Sequence, residues 1–188
     1  VIGVIALIAI YAISLYNRVK RAPNAVEQAW GQVEVEYQAR ADKSKNLVEI
    51  VKGAAAYEGE TLKEVIEARS QAMKIHLEAK DLTPEKIAEF EAVQQRMSSA
   101  IGRLFAVAEQ YPQLQAVGAF RDFQSQYEGM ENRIATARFR FNEAVGAYNN
   151  LISTFPGNII AGQLGYTTKA FFKAKPGTED APDISFGK

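Results

Sequence analysis

Few residues in this chain could perform chemistry. His76 is the sole histidine, and the stretch His76-Leu77-Glu78-Ala79-Lys80 places no second metal-type ligand at zinc-site spacing. Cysteine is absent, which removes disulfides, thiolate metal sites, a cysteine nucleophile and a lipid-modified N-terminal cysteine in the chain as given. Acid–base work would then fall to carboxylates, tyrosines and lysines, and these are spaced as on helix surfaces. Gly157-Asn158-Ile159-Ile160-Ala161-Gly162-Gln163 has the glycine spacing of a phosphate loop, but Gln163 stands where the loop needs lysine and no strand precedes it. The expectation is a protein with no catalytic residue, no cofactor and no metal.

Two polar clusters carry more information. Arg40, Asp42 and Lys43 fall where the first long helix should present an apolar seam, and Glu131, Asn132 and Arg133 lie beside Met130 and Ile134. Facing each other, Arg40, Asp42, Glu131, Asn132 and Arg133 would form a buried hydrogen-bonded network that sets helix register at some cost in stability. The alternative is two solvated helix faces. A hydrolase would need two acids about 5–10 Å apart across a cleft, and the spacing gives no reason to expect them. Phe155, Pro156, Phe171 and Phe172 stand outside the regular apolar pattern. They form a candidate contact surface, for the end of the bundle, for membrane or for a partner.

The elements that position these residues are helical. Val26, Trp30, Val33 and Tyr37 recur at steps of four and three, and the phase resumes at Val48, Val51 and Ala55, so one long helix with a polar middle at Arg40 and Ser44 is expected. Ala22-Pro23-Asn24 predicts a hinge or kink before it. A second helix opens at Gly59 and carries Leu62, Val65, Ile66, Met73 and Leu77 as far as Lys80. Thr83-Pro84-Glu85 then supplies an N-cap, a first-turn proline and an acid that suits the helix dipole. The third helix runs through Ile87, Phe90, Met97, Ile101, Leu104 and Ala108. In the fourth, Phe120, Phe123, Tyr127, Met130, Ile134, Ala137, Phe141, Ala144, Tyr148, Ile152 and Phe155 alternate by three and four, a coiled-coil-like stripe. The composition changes at Pro156, and a short helical turn near 158–164 followed by an extended tail is expected. The fold class is all-α: an N-terminal transmembrane helix, then an up-down bundle of about four long helices with an extended C-terminal tail. The expected divisions are 1–22 for anchor and basic collar, 23–155 for the bundle and 156–188 for a Gly/Pro-rich tail.

The anchor reading rests on VIGVIALIAIYAISLY, which carries no charge. As a helix it reaches about 24 Å, short of the roughly 30 Å hydrocarbon core, and because the chain begins inside this run a longer span is expected. Tyr11 and Tyr16 suit the water–lipid interface, and Arg18, Lys20 and Arg21 form a collar able to snorkel to headgroups. No small-residue cleavage site follows. A single-pass bacterial membrane protein is expected, with the bundle in the cytoplasm by the positive-inside rule. Lys plus Arg and Asp plus Glu balance at 22 each, so nothing recruits nucleic acid.

Many of these residues assemble into one pattern. Trp30-Gly31-Gln32-Val33-Glu34, Tyr37-Gln38, Arg40-Ala41-Asp42, Asn46-Leu47-Val48-Glu49, Glu67-Ala68-Arg69, Gly102-Arg103-Leu104, Glu109-Gln110-Tyr111-Pro112, Glu128-Gly129-Met130-Glu131-Asn132-Arg133-Ile134, Phe141-Asn142-Glu143-Ala144, Tyr148-Asn149 and Phe155-Pro156-Gly157-Asn158-Ile159-Ile160-Ala161 resemble the bacterial LemA family over essentially the whole chain. Lys43-Ser44-Lys45 departs from the family's usual Leu-Ile-Pro. The resemblance implies a membrane helix, a long-helix bundle and no established enzymatic activity. Its relatives include a magnetosome protein linked to building a membrane compartment, which implies scaffolding or membrane shaping. Some relatives with this Trp-Gly-Gln-Val-Glu variant carry a lipid-bearing cysteine instead of a span, and they imply a periplasmic or extracellular bundle as the alternative. The expected function is a membrane-anchored, non-enzymatic scaffold that self-associates as a homo-oligomer against the lipid bilayer. The competing expectation is an adaptor or sensor that binds a peptide or small ligand in the bundle and couples it to a membrane enzyme, and an unknown protein partner is expected.

Overall fold

The computed structural model describes residues 1–53 and 59–173. The expected stripe position Ala55 and the Pro- and Gly-bearing segment 174–188 lie outside the described residues. Six helices follow in order: α1 (Ile2–Gly53), α2 (Glu60–Lys74), α3 (Pro84–Ala108), α4 (Pro112–Gln115), α5 (Gly118–Ser153) and α6 (Gly157–Gln163). No strand occurs among the described residues. The long elements α1, α2, α3 and α5 form an up-down bundle, in which α5 lies along α1 and α2 along α3.

Helix α1 runs unbroken for 52 residues and through Pro23. Proline removes the N–H that would bond Val19 four residues earlier. Val19 and Val26 are nonetheless fully buried on either side, and this packing holds the helix together across the expected hinge. Before Val19 the helix is almost wholly exposed and strongly apolar, with mean hydropathy 1.8 over its 18-residue stretch. By length and composition this stretch can cross a membrane.

Helix α2 ends at Lys74, earlier than its apolar pattern predicts. Ile75 to Glu78 leave the helix, a single 3₁₀ turn forms at Ala79–Asp81, and Ile66 and Met73 lie exposed while Ala68 and Ala72 are buried. The reason is Trp30. Its Nε1 donates to the Leu77 carbonyl at 2.6 Å, and that carbonyl is free to accept because the chain has left the helix. Helix α3 begins as expected, with the Thr83 hydroxyl accepting from the Lys86 N–H.

Helix α5 buries Phe120, Phe123, Tyr127, Met130, Ile134, Ala137, Phe141, Val145, Tyr148 and Ile152. The stripe steps by four from Phe141 to Val145, leaving the expected Ala144 half-buried and Phe155 exposed. There it follows the 3.6-residue period of a straight helix and not a strict heptad. The helix then turns back sharply into α6, where Gly157 sits against the Leu151 carbonyl; a Cβ there would come within 2.2 Å of that oxygen.

The tail beyond α6 lies along α5 as a strap. Asn149 Nδ2 donates to the Lys169 carbonyl and its Oδ1 accepts the Lys169 N–H. Asn142 holds Phe172 in the same way, at 3.0 and 2.9 Å. The spacing explains the fit: seven helical residues rise about 10.5 Å, and three extended residues cover about 10 Å. Replacing Asn142 with alanine leaves both Phe172 peptide groups unpaired and is expected to cost about 1–2 kcal/mol. Amide exchange measures it directly, with the Phe172 N–H losing protection in Asn142→Ala and the Lys169 N–H in Asn149→Ala; unchanged rates would show that the clamps hold nothing.

Candidate functional site

Arg40 is the most unusual residue of the interior, a cation 2% exposed in the middle of the longest helix. Its Nη1 donates to Glu131 Oε1 at 2.7 Å. Its Nη2 donates to both the backbone carbonyl and the side-chain oxygen of Gln94 at 2.9 Å. The guanidinium also lies over the Tyr37 ring, 5.1 Å from its centroid. Three helices thus supply the layer: Arg40 from α1, Gln94 from α3 and Glu131 from α5. Only Arg40 Nε is buried and unpartnered among the described side chains.

This polar layer divides the core. On one side lies the cluster containing Leu47, Val51, Leu62, Val65, Met97, Ile101, Leu104 and Phe123. On the other Trp30 meets Phe90, Phe141 and Phe172, with centroids 5.2 to 5.9 Å away. Sliding one helix against another would strand a buried cation between apolar surfaces, so the layer sets register. Nearby, the Arg69 Nε donates to the Ala41 carbonyl and ties α2 to α1.

The clusters expected from sequence are only partly brought together. Arg40 and Glu131 meet. Asp42 points outward and takes no part, because residues two apart on a helix face different sides. Arg133 pairs instead with Glu36 on the surface, at 3.1 Å between α5 and α1, and Asn132 is exposed. Gln94 escaped notice in the sequence, although it fills the vacant slot in the stripe Ile87, Phe90, Met97, Ile101, Leu104, and a polar residue in such a slot is the signal to look for. The strap asparagines carry no comparable signal.

Above the layer the surface opens into a groove of about 940 Å³ between α3 and α5. Its floor is Tyr37 and Arg40, one wall holds Ala92, Gln95 and Ser98, and the other holds Glu131, Asn132 and Ala135. Arg138 crosses at one end to bond Glu91 and accepts a place over the Phe172 ring, 4.5 Å from its centroid, while donating to the Lys173 carbonyl. The Tyr127 hydroxyl lies 2.9 Å from Ser98 Oγ. Burial pushes its pKa up to about 12, so it is a neutral hydrogen-bonding group at physiological pH. Burial likewise raises Tyr37. The groove therefore offers donors, acceptors and small apolar walls.

The other singled-out residues lie elsewhere. His76 is exposed with Nδ1 3.2 Å from Glu34 Oε1, whose carboxyl is raised by burial and partly brought back by the histidine. The phosphate-loop-like glycines lie within and at the start of α6. Tyr11, Tyr16, Arg18, Lys20 and Arg21 are exposed on α1, around the end of the apolar stretch. Phe155 is 75% exposed, Pro156 half-buried and Phe171 exposed. Phe172 is corrected: it is a core residue at 4% exposure, because the Asn142 clamp turns it inward onto Trp30 and Phe141.

Comparison with known proteins fits this architecture. The chain is 39% identical over 87 residues to magnetosome protein MamQ 2 of Paramagnetospirillum magneticum, covering 46% of this chain and 32% of the relative. It is 34% identical over the same length to magnetosome protein MamQ of Magnetospirillum gryphiswaldense. A more extended match, 24% identical over 158 residues, covers 84% of this chain and 68% of Protein LemA of Metamycoplasma hominis. The matched part spans about a third of the length of the magnetosome relatives. With its exposed apolar helix, this kinship marks a membrane-associated protein whose molecular function is not established. The LemA family model matches residues 29–186, from the start of the Trp30 motif through the strap, and the chain belongs to the LemA family.

Proposed function

We propose that the chain is a single-pass, membrane-anchored helical scaffold without catalytic chemistry, which recruits a partner by holding an extended peptide segment in the α3–α5 groove. The observation that carries this reading is the groove itself, roomy, floored by an Arg40 that Glu131 and Gln94 hold in place, and lined by convergent polar groups between small side chains. The strap supports it, since the chain's own extended backbone already lies along α5 and reaches the groove end at Lys173. The basic collar of Arg18, Lys20 and Arg21 favours a cytoplasmic bundle.

The test is a photo-reactive side chain at Gln95 in the full membrane-embedded chain, beside Ala135→Trp, which fills the groove. Cross-linking to a discrete partner that Ala135→Trp abolishes is the expected result. Adducts indifferent to Ala135→Trp would remove the groove from the function. A second reading, self-association of the bundle, is favoured by Val35 and Phe139, large apolar residues left exposed on the two longest helices. It predicts adducts between copies, and a defined oligomer mass by light scattering.

A further inference from the structure

Helices α1 and α5 run antiparallel in a register read from their contacts. Arg40 faces Glu131, and ten residues along each helix Trp30 faces Phe141. Ten more bring Leu151 to the level of Lys20, beside Asn17, Arg18 and Arg21, and α5 ends two residues later at Ser153, so the turn that carries Phe155 follows where the apolar stretch meets the basic collar. The Tyr166 hydroxyl reaches the Lys20 carbonyl at 3.4 Å, which fixes the tail at the same level. Helix α6 is held there too: it packs on α1, and Ile160, Leu164, Leu15 and Ala22 lie against the same apolar cluster as Val19. This packing turns the other side of the corner outward, and it shows Phe155 at 75% and Ile159 at 53% exposure.

We propose that the α5–α6 corner is a second membrane contact, which seats Phe155 and Ile159 in the interfacial layer of the same leaflet that receives the Tyr16 end of the span. The occupant is the lipid bilayer. A cleft of about 710 Å³ joins the end of the span to the end of α5: it is lined by Ile10 and Ile13 of α1 and Leu151 of α5, with Asn17, Arg18 and Arg21 on its polar side. An aromatic and an aliphatic side chain level with a tyrosine and a basic collar match the interfacial layer, where apolar bodies enter the acyl boundary and cations meet phosphates. Such a contact adds a second point of attachment to the one made by the continuous α1 helix, and two points fix the tilt of the bundle on the bilayer.

The inference rests on reading the apolar stretch as a membrane span, and the experiment separates the two. Tryptophan is placed singly at Phe155, Ile159, Ile8 within the span and Phe139 on the exposed bundle, each in the full chain in vesicles containing anionic lipid. Emission is read after subtracting that of buried Trp30, with brominated lipids as the bilayer quencher and iodide as the aqueous one. Phe155→Trp and Ile159→Trp are expected to shift to the blue and lose emission to brominated lipid, as Ile8→Trp does, while Phe139→Trp answers only to iodide. If Ile8→Trp is quenched by lipid and both corner variants only by iodide, the second contact is overturned and the span stands. If Ile8→Trp also escapes lipid quenching, both readings fall. Corner variants shielded from iodide, untouched by brominated lipid and dependent on protein density would show that a second copy covers the corner, which also overturns the proposal.

Discussion

Trp30→Ala is expected to destabilise the bundle by about 3–5 kcal/mol, a large share of the roughly 5–15 kcal/mol that holds a domain folded. Trp30 is 1% exposed and joins five parts of the chain at one point: α1 carries it, α3 and α5 offer Phe90 and Phe141, the strap adds Phe172, and the segment after α2 accepts its N–H through Leu77. Its removal leaves a cavity among four elements and strands a buried carbonyl. Trp30→Phe keeps much of the ring volume and loses the hydrogen bond, so its cost should fall well below that of alanine, near the 1–3 kcal/mol of an unsatisfied buried group. Denaturant midpoints at constant slope give both numbers. Equal costs for the two variants would mean that the hydrogen bond and not the packing dominates.

Glu131→Ala carries the second large effect. The variant leaves the Arg40 guanidinium buried with Gln94 as its remaining hydrogen-bond partner and the Tyr37 ring beside it, and removal of one member of a buried pair costs about 3–5 kcal/mol in general. Glu131 is itself 29% exposed, so water can reach part of the site and about 2–3 kcal/mol is expected here. Replacing both members should behave differently. Arg40→Met with Glu131→Leu removes the desolvation cost with the attraction, and it should recover most of the loss or exceed the parent in stability. The same double variant removes the buried polar layer that sets register, so its side-chain NMR signals should lose dispersion even where the melting midpoint is restored. If the double variant is no more stable than Glu131→Ala, the pair stabilises the fold on balance and the register argument is unnecessary.

These two experiments also bear on the groove, because Arg40 is its floor. A chain whose midpoint is restored by Arg40→Met and Glu131→Leu but which no longer cross-links through Gln95 would separate the polar layer's part in binding from its part in folding.

Local pattern was enough for several features. The charge-free run and its collar, the Thr83-Pro84 start of α3, the apolar faces of α3 and most of α5, and the family itself could all be read along the chain, because each depends on neighbours within a turn or two. Arg40 and Glu131 were recognisable for a related reason, as charges placed in an apolar phase. Their neighbours were harder. Asp42 is two positions from Arg40 and Asn132 one from Glu131, yet a helix turns each of them away from the layer, and only the rotation chosen by packing says which charge goes in.

Other features depend on contacts between segments far apart in the chain. Pro23 breaks the local rule and α1 continues, since Val19 and Val26 are buried against the bundle. Helix α2 stops at Lys74 because Trp30, 47 residues from Leu77, claims that residue's carbonyl. Phe172 looks from sequence like a surface aromatic in a loose tail, and it becomes core once two asparagines on α5 fasten the strap. Periodicity thus determined which residues share a helix face. Tertiary packing alone decided where helices end, which polar groups are buried and what the tail covers, because those outcomes are set by the free energy of contacts that no local window contains.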